Sequence, residues 1–297
     1  IVLFGPENVK IENGSSGKNV EYMYAPQSWF ENIQTYNDMM MSIEFYERFK
    51  AYDYILIYQL DAFVFRNELE YFCSLGYDYI GAPWIFGAAY CTEKDRAVWY
   101  VGNGGFSLRR TQAFLNLLSE QNTKDVNINE DVFFASCDSE TFKVAPVEVA
   151  LQFSFDSDVQ ECYKRSNHKI PFGCHAWEKR DFDFWKPYIE MFGYKLDKKN
   201  LSVSGDWDFT RPMPDMRYLE KTSEQLYREL QLFLGKTFVK KKIIIWGSGL
   251  LGKECGWILK RAGICDVVYV DTNIKRQGTS LWGWTIGSED VFKDNCD

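Results

Sequence analysis

The chain has 297 residues, 46% of them apolar and 26% charged, the profile of a globular protein with a sizeable core. Lys plus Arg number 34 against 42 for Asp plus Glu, a formal charge of −8. That acidic balance argues against a general nucleic-acid binder, which needs cations to neutralise phosphates, but leaves room for one nucleotide in a local pocket.

Aromatic residues reach 17%, and aromatic faces suit both cores and platforms for sugars or bases. The 8 cysteines form no C-x-x-C pair and sit among apolar neighbours, so they read as reduced thiols packed as small hydrophobes, which places the protein in the cytoplasm. No apolar run approaches the length of a bilayer crossing, and no signal peptide opens the chain. "IVLFGP" reads as a strand entered at residue 1, so further sequence is expected upstream.

In chain order, Ser28 and Glu31 have capping-box spacing, and apolar residues recur at Trp29, Ile33, Tyr36, Met40, Ile43 and Tyr46. This stripe predicts one helix ending near Lys50. Tyr54–Leu60 is an apolar strand that runs straight into Asp61. Such a strand end is where α/β proteins place chemistry, although Asp also simply begins turns. Asn67 is expected to cap a short helix that stops at Gly76, and Tyr77–Trp84 reads as a strand entering a Pro turn.

Val98–Arg110 reads as strand, glycine turn, strand. Gly102, Gly104 and Gly105 around Asn103 fit either a tight hairpin with positive φ or a close approach of backbone to a ligand. A helix is expected from Thr111 to Gln121, and another begins at Glu130 and Asp131. Acids in that position cap free N–H groups, or one of the pair caps while the other serves as a general base. Lys143–Ala145 reads as a strand ended by Pro146. His175, one of 2 histidines, lies in the loop "IPFGCHAW" and is either a packing residue or a ligand to a cation near Asp61.

Residues 201–218 are polar and contain proline, a connector in this reading. Thr222 and Gln225 open an amphipathic helix closed by Gly235. The segment "KKIIIWGSGLLGKECGWIL" then carries Gly247, Gly249 and Gly252 in the G-x-G-x-x-G pattern, and Asp271 ends the next strand. This pattern supports either a dinucleotide site, and hence an NAD(P)-dependent oxidoreductase, or a packing turn in an accessory unit. Strands alternating with helices predict an α/β fold.

Five stretches, "YILIYQLDAFVF", "YDYIGAPW", "VGNGGFSLRR", "NEDVFF" and "PFGCHAW", resemble in their order the blocks of a bacterial glycosyltransferase family with the GT-A (nucleotide-diphospho-sugar transferase) fold. The resemblance covers about residues 1–190. It implies a GT-A-like domain over 1–200 without its first strand and helix, and the patterns beyond it add a connector and helix over 201–240 and a partial Rossmann-like unit over 241–297.

It further implies that Asp61 holds a metal and the donor diphosphate, and that Gly102, Asn103, Gly104 and Gly105 line the donor-sugar pocket. Glu130 and Asp131 match the acidic pair, with Asp131 as base toward the acceptor hydroxyl in an inverting transfer. His175 completes a Mn²⁺ or Mg²⁺ site, and Trp177 packs beside it. The partners implied are a nucleotide-sugar donor and a glycan or other hydroxyl acceptor, in surface polysaccharide synthesis in the cytoplasm or at the membrane periphery. The sequence departs from the Asp-x-Asp metal motif, having Phe63 and Gln59 where a second acid would stand. A metal-independent enzyme and a non-catalytic sugar-nucleotide-binding module are the readings this departure opens.

Overall fold

The computed structural model describes residues 1–9, 20–91, 96–121, 123, 128–198, 221–235 and 242–292. The chain divides into two units, one of Ile1–Ala88 and Trp99–Pro214, the other of Ala89–Val98 and Asp215–Asp297. The architecture is mixed α/β, built from several small sheets and short helices.

In the first unit, β1 (Val2–Pro6) and β2 (Glu21–Ala25) pair in parallel. The helix expected from Ser28 to Lys50 forms as two, α1 (Ile33–Met40) and α2 (Ile43–Glu47). The reason is a competition between caps. Asn32 and Thr35 form the capping box instead of Ser28 and Glu31, and the Ser42 hydroxyl accepts from the Phe45 N–H to begin a second helix. Ile33 and Ile43 consequently face solvent, while Met39, Met40, Phe45 and Tyr46 are buried.

Next come β3 (Tyr54–Tyr58), shorter than expected, β4 (Phe63–Val64) and α3 (Leu69–Ser74). Asn67 does not cap α3: Glu68 holds the N-cap position, without a side-chain bond. Strands β5 (Tyr79–Ile80), β6 (Pro83–Cys91), β7 (Arg96–Val101) and β8 (Phe106–Arg110) follow. Pro83 thus opens β6 instead of ending a strand from Tyr77. The glycine segment is not a hairpin, because β7 pairs with β6 whereas β8 lies between β3 and β5. Helices α4 (Thr111–Glu120), α5 (Glu130–Ser136) and α6 (Val147–Phe153) then lead to β9 (Ser154–Phe155), α7 (Val159–Arg165), β10 (Gly173–Cys174) and α8 (Phe182–Glu190). Of the strand expected at 143–145, only a bridge from Val144 to Tyr79 forms.

Strand β8 organises this unit. Its residues alternate between two faces, as the period of a strand requires. Phe106 and Leu108 join Ala62, Phe72, Ile80, Phe153 and Phe172 in one apolar cluster. Arg109 points the other way, with its guanidinium 5.3–5.6 Å from the ring centres of Tyr79, Phe114 and Phe134. Its charge is met by Glu130 at the start of α5, with Nη2 at 3.0 Å from Oε2, and by the Tyr46 hydroxyl, which accepts at 2.8 Å. Both members of the ion pair are sealed from water, at 0% and 2% side-chain exposure. Burial opposes the guanidinium's charge most strongly of any single influence, but Glu130 together with Tyr46, Tyr79 and Tyr36 outweighs it and raises the Arg109 pKa.

The second unit contains α9 (Ser223–Leu234), opened by the Thr222–Gln225 capping box, and β11 (Ile243–Trp246), α10 (Leu250–Arg261), β12 (Val267–Val270), β13 (Ser280–Leu281) and β14 (Trp284–Gly287). The strand order is β11-β12-β14-β13, with only the β13–β14 pair antiparallel. Residues 201–218, read as a connector, lie outside the described residues. Among the described residues, no helix is long and apolar enough to cross a membrane.

Removing one partner of a buried ion pair strands the other charge, at about 3–5 kcal/mol. Arg109→Met should therefore cost about that much in urea unfolding, and adding Glu130→Gln should restore a good part of the loss. Equal losses in the single and double variants would show that the pair does not organise β8 and α5.

Candidate active site

Three short strands bring the charged residues together. Strand β10 runs antiparallel to β4 and parallel to β9. Asp61, two residues before β4, and the residues directly after β9 and β10, Asp156 and His175, therefore lie at one end of this sheet. His175 Nε2 lies 3.3 Å from Asp61 Oδ1, and its Nδ1 donates to Asp156 Oδ1 at 2.9 Å. The expected juxtaposition of Asp61 and His175 is thus present, with Asp156 as an additional member. The second oxygen of Asp61 accepts from Lys179 Nζ at 2.8 Å.

The loop after β10 is fastened to Asp61 by its backbone as well. The Trp177 N–H donates to the Asp61 carbonyl at 3.3 Å, and the N–H groups of Lys179 and Arg180 donate to the Ala176 carbonyl at 2.9 and 2.8 Å. Ala176 has φ +51°, a left-handed conformation unusual for a residue with a side chain, and this sharp turn returns Lys179 to Asp61. Trp177 packs its ring near Phe182.

The glycine segment fits around these groups. None of Gly102, Gly104 and Gly105 has positive φ, so the absence of side chains answers to space. A Cβ on Gly105 would stand 1.9 Å from His175 Nε2, one on Gly104 2.3 Å from Glu130 Oε1, and one on Gly102 2.3 Å from the Trp84 ring. Asn103 Oδ1 accepts from the N–H groups of Gly105 and Phe106 at 2.9 and 2.6 Å, fixing the turn. Its amide nitrogen lies 3.3 Å from His175 Nδ1, whose proton goes to Asp156. The Tyr36 hydroxyl donates to the Gly104 carbonyl at 3.1 Å, and Gln59 Oε1 is 3.2 Å from His175 Nε2.

Of the acidic pair, Glu130 is spent on Arg109, which leaves Asp131 as the candidate base. Asp131 is half-buried, its Oδ1 accepting from the Val132 N–H at 2.8 Å. Burial first, then repulsion from Glu130 and Asp156, pushes its carboxyl up to about 7. Burial works against charge on His175, but hydrogen bonds to Asp156 and Asp61 prevail and push it up to about 9. Burial likewise works against the Asp61 carboxylate, yet His175 and Lys179 hold it well below the usual range. For Asp156, burial is overcome by His175, with a contribution from Arg180.

A ligand imidazole must be neutral and direct a lone pair at the metal. His175 instead donates both nitrogens toward carboxylates, and both oxygens of Asp61 already have cationic partners. Among the described residues, no group of three or more His, Cys, Asp and Glu side chains is arranged to hold a metal ion. As arranged, these residues do not fit the Mn²⁺ or Mg²⁺ expected at Asp61 and His175.

Asp156 and Lys179 escape a reading of the sequence for physical reasons. The strand before Asp156 is two residues long, and Lys179 comes one tight turn after His175, between two other charged residues, Glu178 and Arg180. A cavity of about 920 Å³, lined by Arg66, Gln152 and Ile170 among others, lies at the opposite end of the same small sheet.

In the second unit, Gly247 has φ +98°, and a Cβ on Gly252 would stand 1.8 Å from the Gly247 carbonyl. The third glycine therefore serves close packing of helix on turn. Asp271 accepts from the Ser248 hydroxyl, from the Ser248 and Asn273 N–H groups at 2.8 Å each, and from Arg276 at 3.3 Å. These bonds, Ser248's foremost, hold its carboxyl well below the usual range. The acid expected at a ribose here braces the glycine turn.

His175 should titrate near 9 by NMR, well above an ordinary histidine at about 6.5. A raised pKa means stability is fully present below about 6.5 and is lost as pH rises through about 9. Asp156→Asn should lower the midpoint and flatten that loss in pH-dependent unfolding. An unchanged midpoint would contradict the pairing.

No curated protein matches the chain, and no solved structure matches it. Residues 19–175 match a family described as "Protein of unknown function (DUF5672)", a span that takes in Asp61, the glycine segment, Asp131 and Asp156 and ends on His175. That is more than half of the 297 residues, and the chain belongs to the DUF5672 family.

Proposed function

We propose that the protein is a glycosyltransferase that moves a sugar from a nucleotide-diphosphate donor to a hydroxyl acceptor, with inversion at the anomeric carbon. In this reading the first unit is a GT-A-like catalytic domain and the second a partial Rossmann-like unit. The observation that carries it is convergence. Asp61, Asn103, Gly105 and His175, drawn from three of the blocks that resemble such enzymes, lie within one network of short contacts. The next block supplies Asp131, whose carboxyl responds to Asp156 in that network.

The chemistry asks for what these groups offer. The acceptor oxygen attacks the anomeric carbon and its proton passes to Asp131. The bond from that carbon to the diphosphate oxygen breaks, and its electron pair leaves with the diphosphate. Positive charge develops on the sugar and negative charge on the leaving group. A carboxyl near 7 is partly ionised at neutral pH and still basic enough to accept a proton, the best compromise for a general base. Cationic side chains held in place beforehand stabilise the departing charge without reorganisation. Building a surface polysaccharide or glycan is the role that follows, with the enzyme in the cytoplasm or at the membrane periphery.

A thermal-shift screen of nucleotide sugars tests the donor, since a ligand that binds only the folded chain must raise its melting temperature. With the donor found, Asp131→Asn should lower turnover by about 10²–10⁴-fold while leaving donor affinity intact. Wild-type turnover should rise with pH through about 7, as Asp131 ionises. Full activity in the variant would remove the mechanism. Donor binding with no turnover across many acceptors would instead indicate a non-catalytic sugar-nucleotide-binding module.

The same shift predicts stability. A carboxyl raised in the folded state costs stability as pH climbs from about 4 to about 7. Asp131→Asn should therefore melt higher than wild type at pH 8 and no higher at pH 4. Each kcal/mol relieved corresponds to about 2–4 °C in a chain of this size.

A further inference from the structure

Resting on the transferase reading, we propose that Lys179, held against Asp61, takes the place of a divalent metal, so that the site binds a nucleoside diphosphate through this cation and Arg180 without added metal. The argument is geometric. Asp61 is the residue that a metal-dependent enzyme of this kind would use, and here both of its oxygens face cations from one loop, His175 Nε2 at 3.3 Å and Lys179 Nζ at 2.8 Å. A metal ion would have to displace one of them. The loop resists that, because Trp177 is bonded to the Asp61 carbonyl and the N–H groups of Lys179 and Arg180 to the Ala176 carbonyl.

Charge also favours an anion over a second cation. Two carboxylates, Asp61 and Asp156, stand among Lys179, Arg180 and the bridging His175, with Arg180 acting on Asp156. Lys179 keeps about a quarter of its side chain open to solvent, at 27% exposure. An ammonium has three N–H donors, and the bond to Asp61 uses one. The remaining two can meet phosphate oxygens, and in the transfer they would neutralise the oxygen that takes the electron pair of the broken bond. Lysine can serve as a phosphate-binding point charge when it is held in place. The absent second acid of the Asp-x-Asp motif then has a reason: Phe63, at that position, carries no charge because there is no ion to share.

The test is calorimetric titration of the full chain with UDP and with GDP, first in EDTA and then with MnCl₂, backed by melting curves. One of the two should bind in EDTA, and Mn²⁺ should change its affinity by less than about threefold, under 1 kcal/mol. Lys179→Gln should weaken binding by on the order of tenfold to a hundredfold, the worth of one charge-assisted hydrogen bond, and Lys179→Arg should restore most of it. Melting curves establish that both variants fold. Binding that appears only with Mn²⁺, or that ignores Lys179→Gln, would overturn the assignment while leaving a transferase in place. Binding of free Mn²⁺ that is lost in Asp61→Asn would do the same. If neither diphosphate binds under any of these conditions, the transferase reading falls and this inference falls with it.

Discussion

A single ion pair, closed off from water, sets the geometry of the first unit. Arg109 lies on the middle strand of its sheet and Glu130 opens the helix that packs over it. A guanidinium in an aromatic surround is a poor stabiliser in itself, since burying two charges forfeits most of what their attraction returns. Its value is registration. Glu130 can sit in one place, and Gly104 must then run beneath its carboxylate with no side chain of its own. The backbone so placed leads into Asn103 and Gly105, which meet the imidazole of His175. The distance between the apolar interior and the charged cluster is thus bridged by steric and electrostatic requirements that leave little freedom.

The cluster itself depends on chain direction. Two strands pointing one way and a third pointing the other deliver their terminal residues to a common edge. Nothing in the local sequence of any one of them encodes the meeting. Neutralisation completes it: each carboxylate has a cationic neighbour, and each cation is drawn from the loop that follows β10.

Much of this was legible in the sequence, and the exceptions are instructive. The apolar run into Asp61, the helix at Thr111, the Thr222–Gln225 cap and the loop placement of His175 all follow from local rules of periodicity and capping. The break at Met41 was not legible, because Ser42 lies inside the apolar stripe and its capping of a second helix shows only in the fold. The glycine segment was ambiguous because a pattern of strand, turn and strand cannot say which partner each strand will choose. The burial of Arg109 was not legible, since an arginine without water is rare and its partner is 21 residues away.

Strands of two residues make few ladder bonds, and β4, β9 and β10 are all of that length. Such a sheet cannot hold its end residues by backbone pairing alone. The electrostatic contacts among those residues must help keep the strands together, so cause runs in both directions. Cutting a contact there to probe chemistry also loosens the scaffold that bears it. In this protein the machinery and the frame are one structure, and a lesion in either would be felt as both.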